Sequence, residues 1–313
     1  MQFSLGKPGL IFCPSQKEIP MTQTALILGA NGKIGRNFTA AFRAAGWQTR
    51  AYKRGTDMDL AAQGCAVIVN GLNPPNYHDW DRILPQITTQ VLAAAKTSGA
   101  TVLFPGNVYV FGDQPGPWDE HTPHAPRSRK GRIRAEVEAR YRTAATEGVQ
   151  TILLRAGDFM DARATDSVLQ YLYLRNLAKG RVTAPGDPDV VRAHAWLPDM
   201  ARAGVMLAER RAALPAFCDV PFPGHTFSAR QLKDRIEHLT GRSLGFDRFP
   251  WWAMRLAGPV WELARELGEM RYLYETPHRM DGARLHALLP DWQDTPLDQV
   301  LMQTLALTSA AAA

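Results

Sequence analysis

Residues 25–36 read Ala25-Leu26-Ile27-Leu28-Gly29-Ala30-Asn31-Gly32-Lys33-Ile34-Gly35-Arg36. The unbroken apolar run is the pattern of a strand buried on both faces. Three glycines follow at a GxxGxxG spacing, and an amphipathic segment over 34–45 comes next. Each glycine has a physical job. Gly29 turns the chain sharply off the strand, Gly32 leaves room for a pyrophosphate to approach the backbone, and Gly35 lets the helix sit close to the sheet. The helix's first N–H groups and its positive dipole end then face the phosphates. Strand, glycine turn and helix in this order predict a dinucleotide site.

Working outward, apolar or β-prone runs at 48–52, 66–69, 102–104 and 151–154 read as further strands. Helical patterns at 34–45, 87–98 and 135–147 lie between them, so strand and helix alternate. That rhythm predicts an α/β fold, a Rossmann-type doubly wound parallel sheet with helices on both faces. The stretch between Tyr52 and Ala66 is short for the strand and helix expected there. The dinucleotide-binding core is placed at 21–160. A smaller α-rich C-terminal lobe that carries late core elements is placed at 161–305. Helices are expected in it at 168–179, 198–211, 228–240 (with Ser228 as N-cap) and 249–267, the last burying Trp251, Trp252, Met254, Val260 and Trp261 in the core. Residues 1–20 read as a disordered extension and 306–313 as a frayed tail.

At 313 residues, 45% apolar and 21% charged, the chain is long and apolar enough for a real core. No apolar run has the length of a membrane span, and the first twenty residues lack a secretory pattern. Cys13, Cys65 and Cys218 have neither metal nor redox spacing, which fits a reducing cytoplasm. His121, His124 and His194 have no ligand-like spacing with a carboxylate, so no metal is expected. Net charge is +6, and the densest basic run is Arg127, Arg129, Lys130, Arg132 and Arg134. It carries no interleaved stacking aromatics, which speaks against a nucleic-acid partner. A small anionic ligand and a solvated helix face both stay open.

Later motifs extend the glycine turn into a family likeness. Residues 101–112 read TVLFPGNVYVFG, residues 153–158 read LLRAGD, and residues 196–199 read Trp-Leu-Pro-Asp. With the turn, they resemble the extended short-chain dehydrogenases/reductases, and among them the NAD-dependent epimerase/dehydratase group. The resemblance is recognisable over 24–210 and extends loosely to about 300. It implies a nicotinamide cofactor across the C-terminal ends of the strands, a small carbonyl or hydroxyl substrate, and pairing of two copies through the helices that end near Ser98 and Glu147. It also implies an active site with a Ser or Thr, a Tyr, and a Lys one helical turn later. Here the chain departs from the family. Counting back from Gly112 puts Asn107 in the Ser/Thr place. Lys130 then falls where the Tyr belongs and Arg134 where the Lys belongs, a register supported by Glu138 downstream.

The exchange has chemical consequences. Arg134 cannot act as a base, yet it can donate hydrogen bonds to a ribose or clamp an anion. Lys130 can give a proton if the like charge of Arg134 lowers its affinity for it. Asn107 can hydrogen-bond a carbonyl. Tyr109 and Asp158 are further candidates for proton transfer or substrate contact. The expected cofactor contacts are Gly29, Asn31, Gly32, Lys33, Ile34 and Gly35 in the turn, Lys53 and Arg54 after the second strand, Asn70 after the third, and Arg134. An acid at the end of the second strand selects NAD through the ribose 2′-hydroxyl. Lys53 and Arg54 stand there instead and suit a 2′-phosphate, with Lys33 and Arg36 adding to the same field. NADP is therefore favoured and NAD is the second reading. Two functions stay open: hydride transfer by an NAD(P)-dependent oxidoreductase, or dinucleotide binding without catalysis by a regulator or sensor.

Overall fold

The computed structural model describes residues 23–161, 163 and 167–310, with only the backbone over 307–310. The extension expected at 1–20 lies outside these residues. The glycine-turn unit forms as read, with β1 (Thr24–Leu28), the turn, and α1 (Lys33–Ala44). β2 (Gln48–Ala51), α2 (Met58–Ala62), β3 (Val67–Asn70), α3 (Trp80–Ser98), β4 (Thr101–Gly106), α4 (Arg129–Thr146) and β5 (Thr151–Arg155) follow. Among the described residues six strands pair in parallel in the order β2-β1-β3-β4-β5-β9, where β9 (Phe217–Pro221) returns from the C-terminal half. Only α2 fills the short stretch after Tyr52, so β2 is an exposed edge. The chain leaves β1 in one direction to β2 and resumes on its other side at β3. This topological switch opens a crevice at the C-terminal strand ends.

Alternation along each strand divides the core. Ile27, Val67, Val69, Leu103, Ile152 and Leu154 face α1 and α5 (Leu197–Glu209), against Phe38, Phe42 and Met200. Leu26, Leu28, Ile68, Val102, Phe104 and Leu153 face α2, α3 and α4, against Trp80, Val91, Val137 and Tyr141. Both faces are covered, which is why the strands read as continuous apolar runs rather than alternating ones.

Helix starts differ from the sequence expectation. α3 begins at Trp80 rather than 87, because Pro85 is accommodated inside its second turn. α4 begins at Arg129 rather than 135, with the Ser128 side chain capping it at the Gly131 N–H. Gly131 looks like a breaker in sequence. A side chain there would come within 2.5 Å of the Tyr109 carbonyl oxygen, so glycine lets α4 sit directly on the loop after β4.

The lobe departs further. β6 (Asp158–Met160), β7 (Arg181–Ala184), β8 (Arg192–Trp196), β10 (His225–Phe227) and β11 (Gly245–Arg248) form sheets of three and two strands. These strands are short and partly polar, so they leave no clear periodic signal. The helix expected at 168–179 is instead a wide π turn over Leu169–Tyr173 and a 3-10 turn over Leu177–Lys179, ended by Gly180 at φ 69°. α6 (Ala229–Thr240) has the expected Ser228 cap, closed reciprocally by Gln231. The helix expected at 249–267 breaks at Gly258 into α7 (Trp251–Ala257) and α8 (Glu262–Glu269). Trp251 and Met254 pack against the lobe's core as expected, but Trp252, Leu256 and Val260 are 67%, 71% and 91% exposed and Trp261 is exposed too, so the hairpin also presents an apolar outer face. α9 (Ala283–Leu288) and α10 (Leu297–Ala310) complete the chain. No helix among the described residues is long and apolar enough to cross a membrane.

One buried cation ties these layers together. Arg155, fully buried at the end of β5, meets Glu138 of α4 at 2.8 Å and Asp219 of β9 at 2.7 Å. It also donates to the Asn107 carbonyl at 3.0 Å. Burial works to strip its proton, but the two carboxylates outweigh burial and hold the guanidinium firmly charged. Arg155→Met leaves both carboxylates buried without their cation. We expect it to lower unfolding stability by about 3–5 kcal/mol in urea titration.

A second buried group reports on pH. His278 stacks on Trp118 at 4.5 Å, and burial lowers its pKa to about 3. Below about pH 6.5 the unfolded ring takes up a proton that the folded ring refuses. Stability therefore falls as pH drops, by about 1.4 kcal/mol per pH unit from this residue until about pH 3. His278→Gln should make the pH dependence of urea unfolding shallower by one proton between pH 6 and 4; an unchanged slope rejects the assignment.

Candidate active site

The crevice begins at the glycine turn. Gly29 has φ 71°, and a side chain on it would lie 2.9 Å from the Gly71 carbonyl oxygen beyond β3. A side chain on Gly35 would collide with the Gly29 carbonyl. Gly32 caps α1 with its N–H bonded to Gly29 O at 2.9 Å, while Asn31 and Gly32 stay exposed. Lys33 and Ile34 are half-buried on the first turn of α1. The turn is thus closed to side chains and open to a ligand, as a pyrophosphate cradle requires.

Lys53 and Arg54 leave β2 exposed. Their loop is held by the Tyr52 hydroxyl on the Thr56 carbonyl at 2.8 Å and by the Thr56 hydroxyl on the Lys53 carbonyl at 2.7 Å. Arg36 does not join them, because the buried Asp161 of the lobe takes its guanidinium. Asn70 is buried and donates to the Tyr141 hydroxyl at 3.0 Å, while its side-chain oxygen accepts from the Leu72 N–H at 3.3 Å.

The candidate catalytic residues gather where β3, β4, β5 and the lobe meet. The Asn107 side-chain oxygen accepts from the Tyr109 N–H at 3.0 Å and shapes the turn after β4. Arg134 lies over Trp80, 4.7 Å from the ring centre, and donates to Asn73 at 2.8 Å. Burial lowers its pKa, though tyrosines and Glu138 oppose the shift. Asp158, on β6, meets Arg192 of β8 at 2.6 Å. Burial raises the Asp158 pKa and the arginine limits the rise. Arg192 also bonds the Tyr173 hydroxyl at 3.1 Å and lies 3.9 Å from the Tyr274 ring centre.

Lys130 has the least expected surroundings. It is fully buried, and Glu266 and Glu269 of α8 both take its ammonium. The partner that sequence reasoning gave it, Arg134, is not what surrounds its charge. Two others of the basic run are also paired, Arg127 to Asp113 and Arg129 to Glu266 at 3.2 Å, while Arg132 is exposed and donates to the Arg127 carbonyl.

Tyr77 was missed in sequence. Its hydroxyl is 3.2 Å from that of Tyr109, and Lys130 Nζ lies 5.0 Å from its ring centre. It sits in a loop where Asn76, Tyr77 and Asp79 take positive φ of 54°, 62° and 50°, a conformation that costs energy outside glycine. The available signal was Asn-Pro-Pro-Asn-Tyr directly after a strand end, turn chemistry at the place where such sheets bind ligands.

The fold is shared widely. MoeE5 in complex with UDP-glucuronic acid and NAD is 15% identical, with a TM-score of 0.71 over 92% of this chain and 99% of that one. UDP-glucose-4-epimerase from Stenotrophomonas maltophila, with bound NAD and formylated UDP-arabinopyranose, is 16% identical, with a TM-score of 0.71 over 93% and 99%. A nucleoside-diphosphate-sugar epimerase from Pseudomonas aeruginosa is 17% identical, with a TM-score of 0.66 over 91% and 97%. At these identities the likeness is one of fold. No curated protein matches the sequence. The model of the NAD dependent epimerase/dehydratase family matches residues 58–217, from α2 to the start of β9. The chain belongs to the NAD dependent epimerase/dehydratase family.

Proposed function

We propose that the protein is an NADP-dependent oxidoreductase that transfers hydride to or from a small carbonyl or hydroxyl compound at the crevice. The observation that carries the reading is the glycine turn, shut to side chains and open to a ligand, with the exposed pair Lys53 and Arg54 at the adjoining strand end. Gly29, Asn31, Gly32, Lys33, Ile34 and Gly35 would hold the pyrophosphate, and Lys53 and Arg54 the 2′-phosphate. Asn70 and Arg134 would border the nicotinamide half. The dinucleotide supplies or accepts the hydride. Asn107 would orient the reacting oxygen, and Asp158, held by Arg192, would contact the substrate from the lobe. Lys130, paired with Glu266 and Glu269, would have a supporting part over the Tyr77 ring. Fold neighbours crystallised with NAD and UDP-sugars make UDP-glucose and UDP-glucuronic acid the first substrates to try.

A second reading, dinucleotide binding without turnover, draws on one observation. The residue in the place of the family's Tyr is closed off by two carboxylates. NADP+ reduction by the purified protein separates the two readings.

Calorimetric titration with NADP+ and NAD+ at fixed ionic strength tests the cofactor. The expected outcome is tighter NADP+ binding, with the preference reduced about tenfold or more in a Lys53→Glu, Arg54→Glu double variant, as loss of charge-assisted contacts to one phosphate requires. Equal affinity for both dinucleotides would remove the basic pair from the argument, and binding of neither would remove the cofactor.

A further inference from the structure

We propose that Tyr109 and Tyr77 form a two-phenol proton relay that serves hydride transfer in place of the tyrosine missing at position 130. The inference rests on the cofactor reading above. Four observations carry it. The two hydroxyl oxygens are 3.2 Å apart, a long hydrogen bond in which either can donate. The residues follow β3 and β4, neighbouring strands whose C-terminal ends face the crevice. Among the described residues only Asn76, Tyr77 and Asp79 take positive φ without being glycine, so the chain spends conformational energy to put Tyr77 there. Lys130 Nζ stands 5.0 Å from the Tyr77 ring centre. The family arrangement of a phenol beside a cation is thus kept with its supports exchanged: the cation stands on α4 where the phenol would, and the phenols come from two loops.

The surroundings keep the pair protonated at rest. Burial is the largest influence on Tyr77 and raises its proton affinity; the hydrogen bond to Tyr109 lowers it, Asp158 and Glu266 raise it, and Arg134 lowers it. Burial also pushes Tyr109 well above its ordinary value, with Tyr77, Asp158 and Tyr274 adding to the rise. Both phenols therefore carry their protons at neutral pH. In carbonyl reduction, the hydride of a reduced nicotinamide dinucleotide forms the new C–H bond and the dinucleotide is oxidised. The C=O π pair moves onto oxygen. The Tyr109 Oη–H bond breaks as that oxygen takes the proton, and Tyr77 Oη–H then reprotonates Tyr109. The charge left on Tyr77 persists until water at the exposed loop returns a proton. Oxidation of an alcohol runs the same path backwards. Tyr109 is the catalytic residue and Tyr77 a positioning residue that acts through it.

The test places 3,5-difluorotyrosine, whose phenol ionises near neutral pH, at position 109 of the full chain. Its ionisation is followed by fluorine NMR with and without saturating NADP+, in the parent and in Tyr77→Phe. Calorimetry on the same samples reports NADP+ binding independently. The expected result is a midpoint that falls by about 1–3 pH units when the cationic nicotinamide arrives. It should rise in Tyr77→Phe: fluorination makes position 109 the more acidic phenol of the pair, so the Tyr77 hydroxyl then donates to its phenolate, and that hydrogen bond is gone in the variant. A midpoint that ignores NADP+ although calorimetry shows it bound overturns the relay and leaves the cofactor reading standing. So does a midpoint unmoved by Tyr77→Phe. Absence of binding in calorimetry overturns the cofactor reading itself, and the relay with it.

Discussion

The enclosure of Arg155 is the constraint on which the site depends. A guanidinium fully out of water must have its charge answered in place, and only a particular packing of α4, β5 and β9 brings Glu138 and Asp219 to it. The same guanidinium donates to the Asn107 carbonyl, so the turn after β4 is tied to the core. Asn107 then holds the Tyr109 N–H, and Gly131 lets α4 press on the Tyr109 carbonyl. The Tyr109 backbone is thus positioned at its N–H and at its carbonyl by groups whose own places are set by burial or charge. A loop held this way gives an aligned hydroxyl without movement of the backbone.

The lobe is fastened to the sheet by the same means. Asp161 reaches Arg36 of α1, Asp158 with its neighbour Arg192 sits at the crevice, and Glu266 and Glu269 reach Lys130 of α4. The acids of α8 look in sequence like the polar face of an amphipathic helix. In the structure Glu266 and Glu269 turn toward α4, and the exposed side of the hairpin is left with Trp252, Leu256 and Val260.

Much of the fold was legible because its strands announce themselves. Ala25–Leu28 and Val67–Val69 are buried on both faces, so burial leaves an unbroken apolar run, and glycine spacing reports the turn directly. The lobe was less legible for a physical reason. Arg192-Ala193-His194-Ala195-Trp196 is a fully buried strand, yet its polar residues are stabilised by distant partners such as Asp158 and Tyr173 that no local pattern reveals. The site divides along the same line. Gly29, Gly32 and Gly35 are readable because their role is local. The pairing of Tyr77 with Tyr109 joins two loops through space, and the neighbours of Lys130 lie well over a hundred residues downstream.

That division bears on how the proposed relay answers an altered active-site box. A tyrosine and a lysine one helical turn apart are a local solution, in which one helix supplies both phenol and cation. When the helix supplies two cations instead, the phenol must come from elsewhere, and the crevice offers few places close enough. The loop after β3 qualifies only if its backbone turns back on itself, which requires the positive φ at Asn76 and Tyr77. The price of that turn is met by packing: the Tyr77 ring lies 5.0 Å from Trp80, and Trp80 is buried under Arg134. Arg134, in the place of the family's lysine, therefore props this loop through Asn73 and Trp80, while Lys130, in the place of the tyrosine, lies over the Tyr77 ring with its charge answered by Glu266 and Glu269. Two substitutions that look destructive one at a time are physically consistent as a pair.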